Sequence, residues 1–370
     1  MNVFSKFGLK QVVNASGKMT ALGASAVHPE VARAVSEAAQ DYVEIDELLV
    51  AAGREIAKAT GAEDGCPTTG AAAGIAIATA AVIAGTNLSL IERLPRPAGV
   101  PDEIVLQKGH SVHFGASVTQ MIALGGGNPV EVGHANHTEK AHLTEAVNDR
   151  TAALLFIQSH HAVQKGVQSL EAMKEIAAAK GIPLIVDAAA EEDMRKYIAL
   201  GADLVCYSGG KALEGPTSGF ICGRKDLIEA CRAQYKGIGR AMKVGKEGVV
   251  GLLTALARYG AKEETGGEQK ARMERFLQLL EGVPGVKGGI SQDESGRDIY
   301  RAKLEIDPAT AGMDAKQLIK RLQSGDPAIY TRNHYSNVGI IFIDPRPLLP
   351  NQEQLIADRI RDIISKGSSI

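Results

Sequence analysis

Short apolar runs alternate with amphipathic stretches of helical period from about Gly53 to Arg258. Such alternation predicts strands and helices in turn, and with them a mainly parallel sheet covered on both faces. The centre of the chain shows the unit best. Residues 151–157 read as a strand, residues 169–180 as a helix and residues 182–186 as the next strand, which makes a βαβ crossover. Residues 202–206 supply a further apolar run. Beyond Gly260 the composition becomes more charged over residues 262–270, and alternation returns around residues 302–306 and 338–343. The pattern predicts three parts: an N-terminal arm over 1–50 that packs with the small domain, a large domain over 51–260, and a small α+β domain over 261–370.

One segment breaks the alternation. Residues 65–91 contain no charged side chain and are long enough to span a bilayer. Most of the apolar residues there are alanine, and Pro67, Thr68, Thr69, Thr79, Thr86, Asn87 and Ser89 interrupt them, so transfer into lipid is poor. A helix buried in a large core, apolar all round, fits better than a membrane span.

Candidate chemistry gathers where strands end. Lys211 follows the run 202–206, between Gly209-Gly210 and Gly215-Pro216. A lysine at the exit of a buried strand is partly desolvated, which lowers its amine pKa and makes it a nucleophile toward aldehydes. Pyridoxal phosphate is held in its enzymes through such a lysine. Asp187 closes the preceding apolar run, where a carboxylate can keep a pyridine nitrogen protonated. A helix cap at Asp187 and a surface turn at Lys211 remain the plainer readings of either residue alone.

With both in order, the segment from Gly201 through Tyr207-Ser208-Gly209-Gly210-Lys211-Ala212-Leu213-Glu214-Gly215-Pro216 to Gly223 resembles the cofactor-lysine segment of the selenocysteine synthase-like group of pyridoxal phosphate enzymes. The resemblance extends to Asn14-Ala15-Ser16-Gly17, Ser159-His160-His161, Asp187 and the stretch Arg240 to Lys246. It implies the aspartate aminotransferase-like (type I) fold, an α/β architecture with pyridoxal 5'-phosphate as cofactor. Within that group the chain is most similar to ammonia lyases that act on a phosphorylated 2-amino sugar acid. There Lys211 would hold the cofactor and take the Cα proton, and the neighbouring hydroxyl would leave as water before ammonia is lost. After Asp187 the chain reads Ala-Ala-Ala-Glu-Glu-Asp, where selenocysteine synthases tend to have a glycine- and serine-rich turn, so the pocket is expected to differ. Glu191, Glu192 and Asp193 could assist protonation of the leaving group or cap a helix, and the cap is the expectation.

The remaining candidates follow the same frame. Thr68-Thr69-Gly70-Ala71 precedes the buried helix and reads as an ordinary helix cap or as a phosphate cradle; the resemblance favours the cradle, with Thr69, Gly70, Ala71 and Ser208 on the cofactor phosphate. His110 and His113 read as solvated loop histidines or as a ring that stacks on the cofactor; the resemblance favours His113 as the stacking and catalytic group, with His110 beside the cofactor. Ser159 and His160 are expected in the pocket because ligands collect at the ends of parallel strands. Arg240 and Lys243 lie in a basic, glycine-interrupted stretch that suits a solvated face; the resemblance points them at a phosphate of the substrate or cofactor. Arg332 reads as an ordinary surface arginine or, as a planar fork, as the clamp for a substrate carboxylate. The two His-x-x-His spacings, 110/113 and 134/137, lack matching acidic or cysteine partners, so no metal site is expected.

Composition narrows the setting. A net charge of -2 offers no general field for nucleic acid. Cys66, Cys206, Cys222 and Cys231 have no metal or oxidoreductase spacing and read as buried thiols in a reducing compartment. The first ten residues lack the apolar core of a signal peptide, and a cytoplasmic homodimer or higher homo-oligomer is expected. Other readings are a selenium transferase acting on seryl-tRNA, another amino-acid lyase or racemase, and a non-catalytic cofactor-binding protein.

Overall fold

A computed structural model of the chain describes residues 3–159, 161–260, 265–294 and 296–367. Among these, twelve strands run β1 (Val12–Ala15), β2 (Asp64–Thr68), β3 (Glu103–Gln107), β4 (Asn128–Val132), β5 (Thr151–Ile157), β6 (Leu184–Asp187), β7 (Leu204–Ser208), β8 (Gly219–Gly223), β9 (Val286–Gln292), β10 (Tyr300–Ile306), β11 (Ala328–Thr331) and β12 (Ile340–Ile343). The chain divides into two units, Val27–Ala261 and a smaller one of Met1–Ala26 with Lys262–Ile370.

The larger unit is built on a seven-stranded sheet of order β2-β8-β7-β6-β5-β3-β4. Strands β3 to β7 pair in parallel, and β8 runs antiparallel to both β7 and β2. Strand β5 is buried at every position, as a strand covered on both faces must be. The helix Leu170–Lys180 links it to β6, capped by the Ser169 hydroxyl accepting from Ala172 N–H at 3.3 Å and ended by Gly181 in the left-handed region at φ 68°.

The charge-free segment divides instead of forming one helix. Its first residues belong to β2, where Pro67 is tolerated because β2 is an edge strand. Gly70 then starts the helix Ala71–Ala84, and Asn87 caps a second helix, Leu88–Arg93, by accepting from Leu90 N–H at 3.2 Å. The helix Ala71–Ala84 is buried on nearly all sides, between the sheet and the helices Val118–Leu124 and Lys225–Ala233, which explains its uniform apolarity. No helix among the described residues is long and apolar enough to cross a membrane.

The arm expected over residues 1–50 divides near residue 26. Residues beyond it form the helices Pro29–Ala39 and Ile45–Thr60, and the first of these packs on Lys246–Tyr259 so closely that a Cβ on Gly251 would meet Val35 at 2.6 Å. In the smaller unit β1 pairs in parallel with β11, and β12, β10 and β9 form an antiparallel sheet in that order. The helices Gly266–Gln278, Ala315–Ser324 and Gln352–Gly367 cover a separate core that includes Met273, Phe276, Leu304, Ile341 and Ile360.

Candidate active site

Because β2 runs with β7, the C-terminal ends of β2, β3, β5, β6 and β7 lie along one edge of the large sheet. This is the edge at which open α/β sheets bind ligands. Thr68, Gly219 and Ser208 form one cross-strand row there, and Asp187 pairs with Ile157 on one side and Cys206 on the other.

Lys211 sits half-buried in the tight connection from β7 to β8. Gly209 N–H donates to Ser218 O and Gly215 N–H to Gly209 O, both at 2.8 Å, so the loop closes on its own base. Only glycine fits at 209, since a Cβ would lie 2.2 Å from Ser218 Oγ. Asp187 is 6% exposed and accepts from Ala189 N–H at 3.0 Å through Oδ1. Burial pushes its pKa from 3.8 up to about 6, against the nearby Lys211 charge and the Ala189 hydrogen bond, which both lower it. The fold thus buries a carboxyl group within electrostatic reach of one lysine, and a cationic ring nitrogen would restore its full charge.

The start of the helix Ala71–Ala84 is shaped for an oxyanion. Its first i to i−4 bond is Gly74 N–H to Gly70 O at 2.9 Å, and no side chain caps the N–H groups before it. A Cβ on Gly70 would meet nothing within 4 Å, so the approach to those groups is open. Thr68 Oγ1 donates to Gly70 O at 3.0 Å and steadies the turn. Thr69 Oγ1 donates to Met242 O at 3.4 Å, which ties the turn Ile238–Met242 to the cradle. Arg240 and Lys243 are exposed in and just after that turn, and no ion pair is made by either among the described residues.

The histidines part company. His110 is 1% exposed, accepts from Ile157 N–H at 3.2 Å through Nδ1 and stands edge-on to Phe156 with ring centroids 4.7 Å apart. Burial drives its pKa from 6.5 down to about 4, partly offset by a hydrogen bond to the Val163 backbone. Its ring is engaged in fastening the end of β3 to β5. His113 is exposed, and its Nδ1 accepts from Gly115 N–H at 3.3 Å in a small bridge between His113 and Ser117. Ser159 lies just past the end of β5, its hydroxyl accepting from His161 N–H at 3.2 Å; His160 lies outside the described residues.

The segment after Asp187 is held by three tyrosines that sequence reasoning missed. Tyr197 donates to Glu191 Oε2 at 2.7 Å, Tyr259 to Glu192 O at 2.5 Å, and Tyr207 to Met194 O at 3.3 Å. Asp193 accepts from Arg195 and Lys196 N–H groups at 2.9 and 3.0 Å, ahead of the short helix Lys196–Ala199. Arg332 lies in the smaller unit, on the residue after β11, with its backbone bridged to Phe342. Burial lowers its pKa, and the Arg301 charge adds to that. Among the described residues no group of three or more His, Cys, Asp or Glu is placed to hold a metal ion.

A family profile described as SelA, L-seryl-tRNA selenium transferase, matches residues 12–278. The chain belongs to that family. Within the family's reach, it is 47% identical over 98% of its length to a Streptomyces protein named 5'-C-glycyluridine monooxygenase-decarboxylase, covering 92% of that protein. It is 44% identical to the D-glucosaminate-6-phosphate ammonia lyase of Salmonella typhimurium, over 98% of both chains. The solved structure of a D-glucosaminate-6-phosphate ammonia-lyase superposes with a TM-score of 0.94 at 43% identity, covering 100% of this chain and 99% of that one. The fold is the aspartate aminotransferase type, as the sequence resemblance implied.

Proposed function

We propose that this chain releases ammonia from D-glucosaminate 6-phosphate to give 2-keto-3-deoxygluconate 6-phosphate, with pyridoxal phosphate as cofactor. The observation that carries the reading is the buried Asp187 carboxyl beside the Lys211 charge, at the strand ends that also carry the open helix start. The 44% identical ammonia lyase, matched along nearly its whole length, supports the substrate.

These residues fit the cofactor's four demands. The N–H groups at Ala71, with Thr69, Gly70 and Ser208, would take the phosphate; Asp187 would take the ring nitrogen; Lys211 would take the aldehyde carbon; and His113, exposed in a turn after β3, would stack on the ring, with Ser159 serving the same pocket. When bound, the cofactor supplies an electron sink for the substrate Cα. Lys211 Nζ then removes the Cα proton, and Asp187 holds its negative charge at the ring nitrogen throughout. Arg332 takes the substrate carboxylate and Arg240 with Lys243 its phosphate. Loss of the neighbouring hydroxyl as water, followed by water's return as ammonia leaves, balances the reaction.

A second reading has its own support. The 47% identical relative is named for an oxygen-using decarboxylation, and a pocket of this kind serves either chemistry. Oxygen uptake and carbon dioxide release, measured beside ammonia and 2-keto acid, separate the two. The protein is further read as a cytoplasmic homodimer or larger homo-oligomer: all four cysteines are buried free thiols, and Phe4, Phe7 and Leu9 stand 58%, 75% and 58% exposed. Light scattering tests the assembly, and a monomer would contradict it.

A further inference from the structure

The smaller unit contains a buried charge cluster assembled from residues far apart in the chain. Arg301, on β10, is 5% exposed; its Nε donates to Asp344 Oδ2 at 2.8 Å and its Nη1 to Asp293 Oδ2 at 3.0 Å. Asp344 also accepts from Arg346 at 2.7 and 2.9 Å, and Asp293 from Arg297 at 3.0 Å. Burial pushes both carboxyls up, but these arginines more than offset it and hold both below the usual carboxylate range. Arg332 is near enough to feel Arg301, Asp344 and Asp293, yet among the described residues neither carboxylate pairs with its guanidinium. Three guanidinium groups therefore share two carboxylates with a fourth, Arg332, in electrostatic reach, and Arg301 Nη2 is itself buried without a hydrogen-bond partner.

We propose that Arg301 is a positioning residue: by occupying Asp293 and Asp344 from inside the unit it keeps Arg332 unpaired, so that the excess positive charge is offered to a carboxylate ligand. This rests on Arg332 as the carboxylate arm proposed above. An arginine left beside two unsaturated aspartates would pair with them, and a self-paired guanidinium is a poor anion receptor. With both aspartates already spoken for by Arg301, Arg297 and Arg346, the strongest partner open to Arg332 is one brought by the ligand. The surplus charge also disfavours uncharged analogues only weakly, so discrimination should appear as a gain for the acid.

The test compares two ligands that differ only in the carboxylate, D-gluconate 6-phosphate and D-glucitol 6-phosphate, by calorimetry on the cofactor-loaded protein. The wild type should prefer the acid by on the order of 10-fold or more, as for a charged hydrogen-bonded pair, and Arg332→Gln should lose that preference. Arg301→Met should lose it as well, with KM for the amino sugar acid rising more than kcat falls. Arg301→Met combined with Asp293→Asn and Asp344→Asn should regain it, because both freed carboxylates are gone; this triple variant, which removes the two buried acids along with their shared partner, serves if the single one fails to fold. A preference retained in Arg301→Met, or absent from the folded triple variant, would overturn the positioning role while leaving Arg332 as the carboxylate arm. Equal binding of both ligands by the wild type would overturn Arg332's role and this one with it.

Discussion

Gly219 lies backbone to backbone with Gly70: a Cβ on Gly219 would fall 2.7 Å from the Gly70 carbonyl carbon and 2.6 Å from Tyr207 O. The start of β8 and the start of the buried helix thus share a space with no room for a side chain. Gly219→Ala should push the Gly70 turn off the sheet and misalign the N–H groups at Ala71. Overpacking of this kind costs about 1–3 kcal/mol of stability. Titration with pyridoxal phosphate should show affinity lower by roughly 10-fold, about 1.4 kcal/mol; unchanged affinity would remove the cradle from the account.

Asp187 sets stability against function. Its folded-state pKa is raised from 3.8 to about 6 by burial, so ionising it costs the folded chain free energy. The penalty sets in as pH rises through that window and is complete above it, where the displacement corresponds to about 3 kcal/mol. The cofactor-free Asp187→Asn protein should therefore be more stable than the wild type above pH 6 and no more stable near pH 3. The same change should lower kcat by at least ~100-fold, the scale of removing an electrostatic stabiliser. Denaturant melts of the cofactor-free proteins across pH check the first claim, and steady-state rates the second.

Tyr259 holds the chain just beyond Asp187 through its hydrogen bond to Glu192 O. Tyr259→Phe leaves that carbonyl without its donor and should cost about 1–3 kcal/mol. If the three tyrosines position the segment, kcat should fall in Tyr259→Phe while cofactor affinity stays near the wild-type value. Equal loss of both would mean a general effect on the large unit.

The parts of this protein legible in sequence are those whose cause is local. The strand over 151–157 carries its burial in its own composition, and Asp187 and Lys211 stand out because the first ends such a run and the second follows one closely. Residues 65–91 read as one helix because apolarity alone cannot separate an edge strand from a buried helix; Pro67 and Gly70 were the signals that divide them. His110 and His113 look alike in sequence, and only packing against Phe156 commits the first to a structural role. The Arg301 cluster had no local signal, since its carboxylates lie 8 and 43 residues away. Gly219 fell inside the recognised segment, but its reason is a contact with Gly70 that no linear pattern displays.

The most direct test is to supply the cofactor-loaded protein with D-glucosaminate 6-phosphate and measure ammonia and 2-keto acid together, with Lys211→Ala as the control. The account predicts equal amounts of both products without oxygen uptake, and neither product from Lys211→Ala, which should also lack the visible absorbance of bound cofactor. Oxygen-dependent release of carbon dioxide, or no product from a visibly loaded wild-type protein, would contradict it.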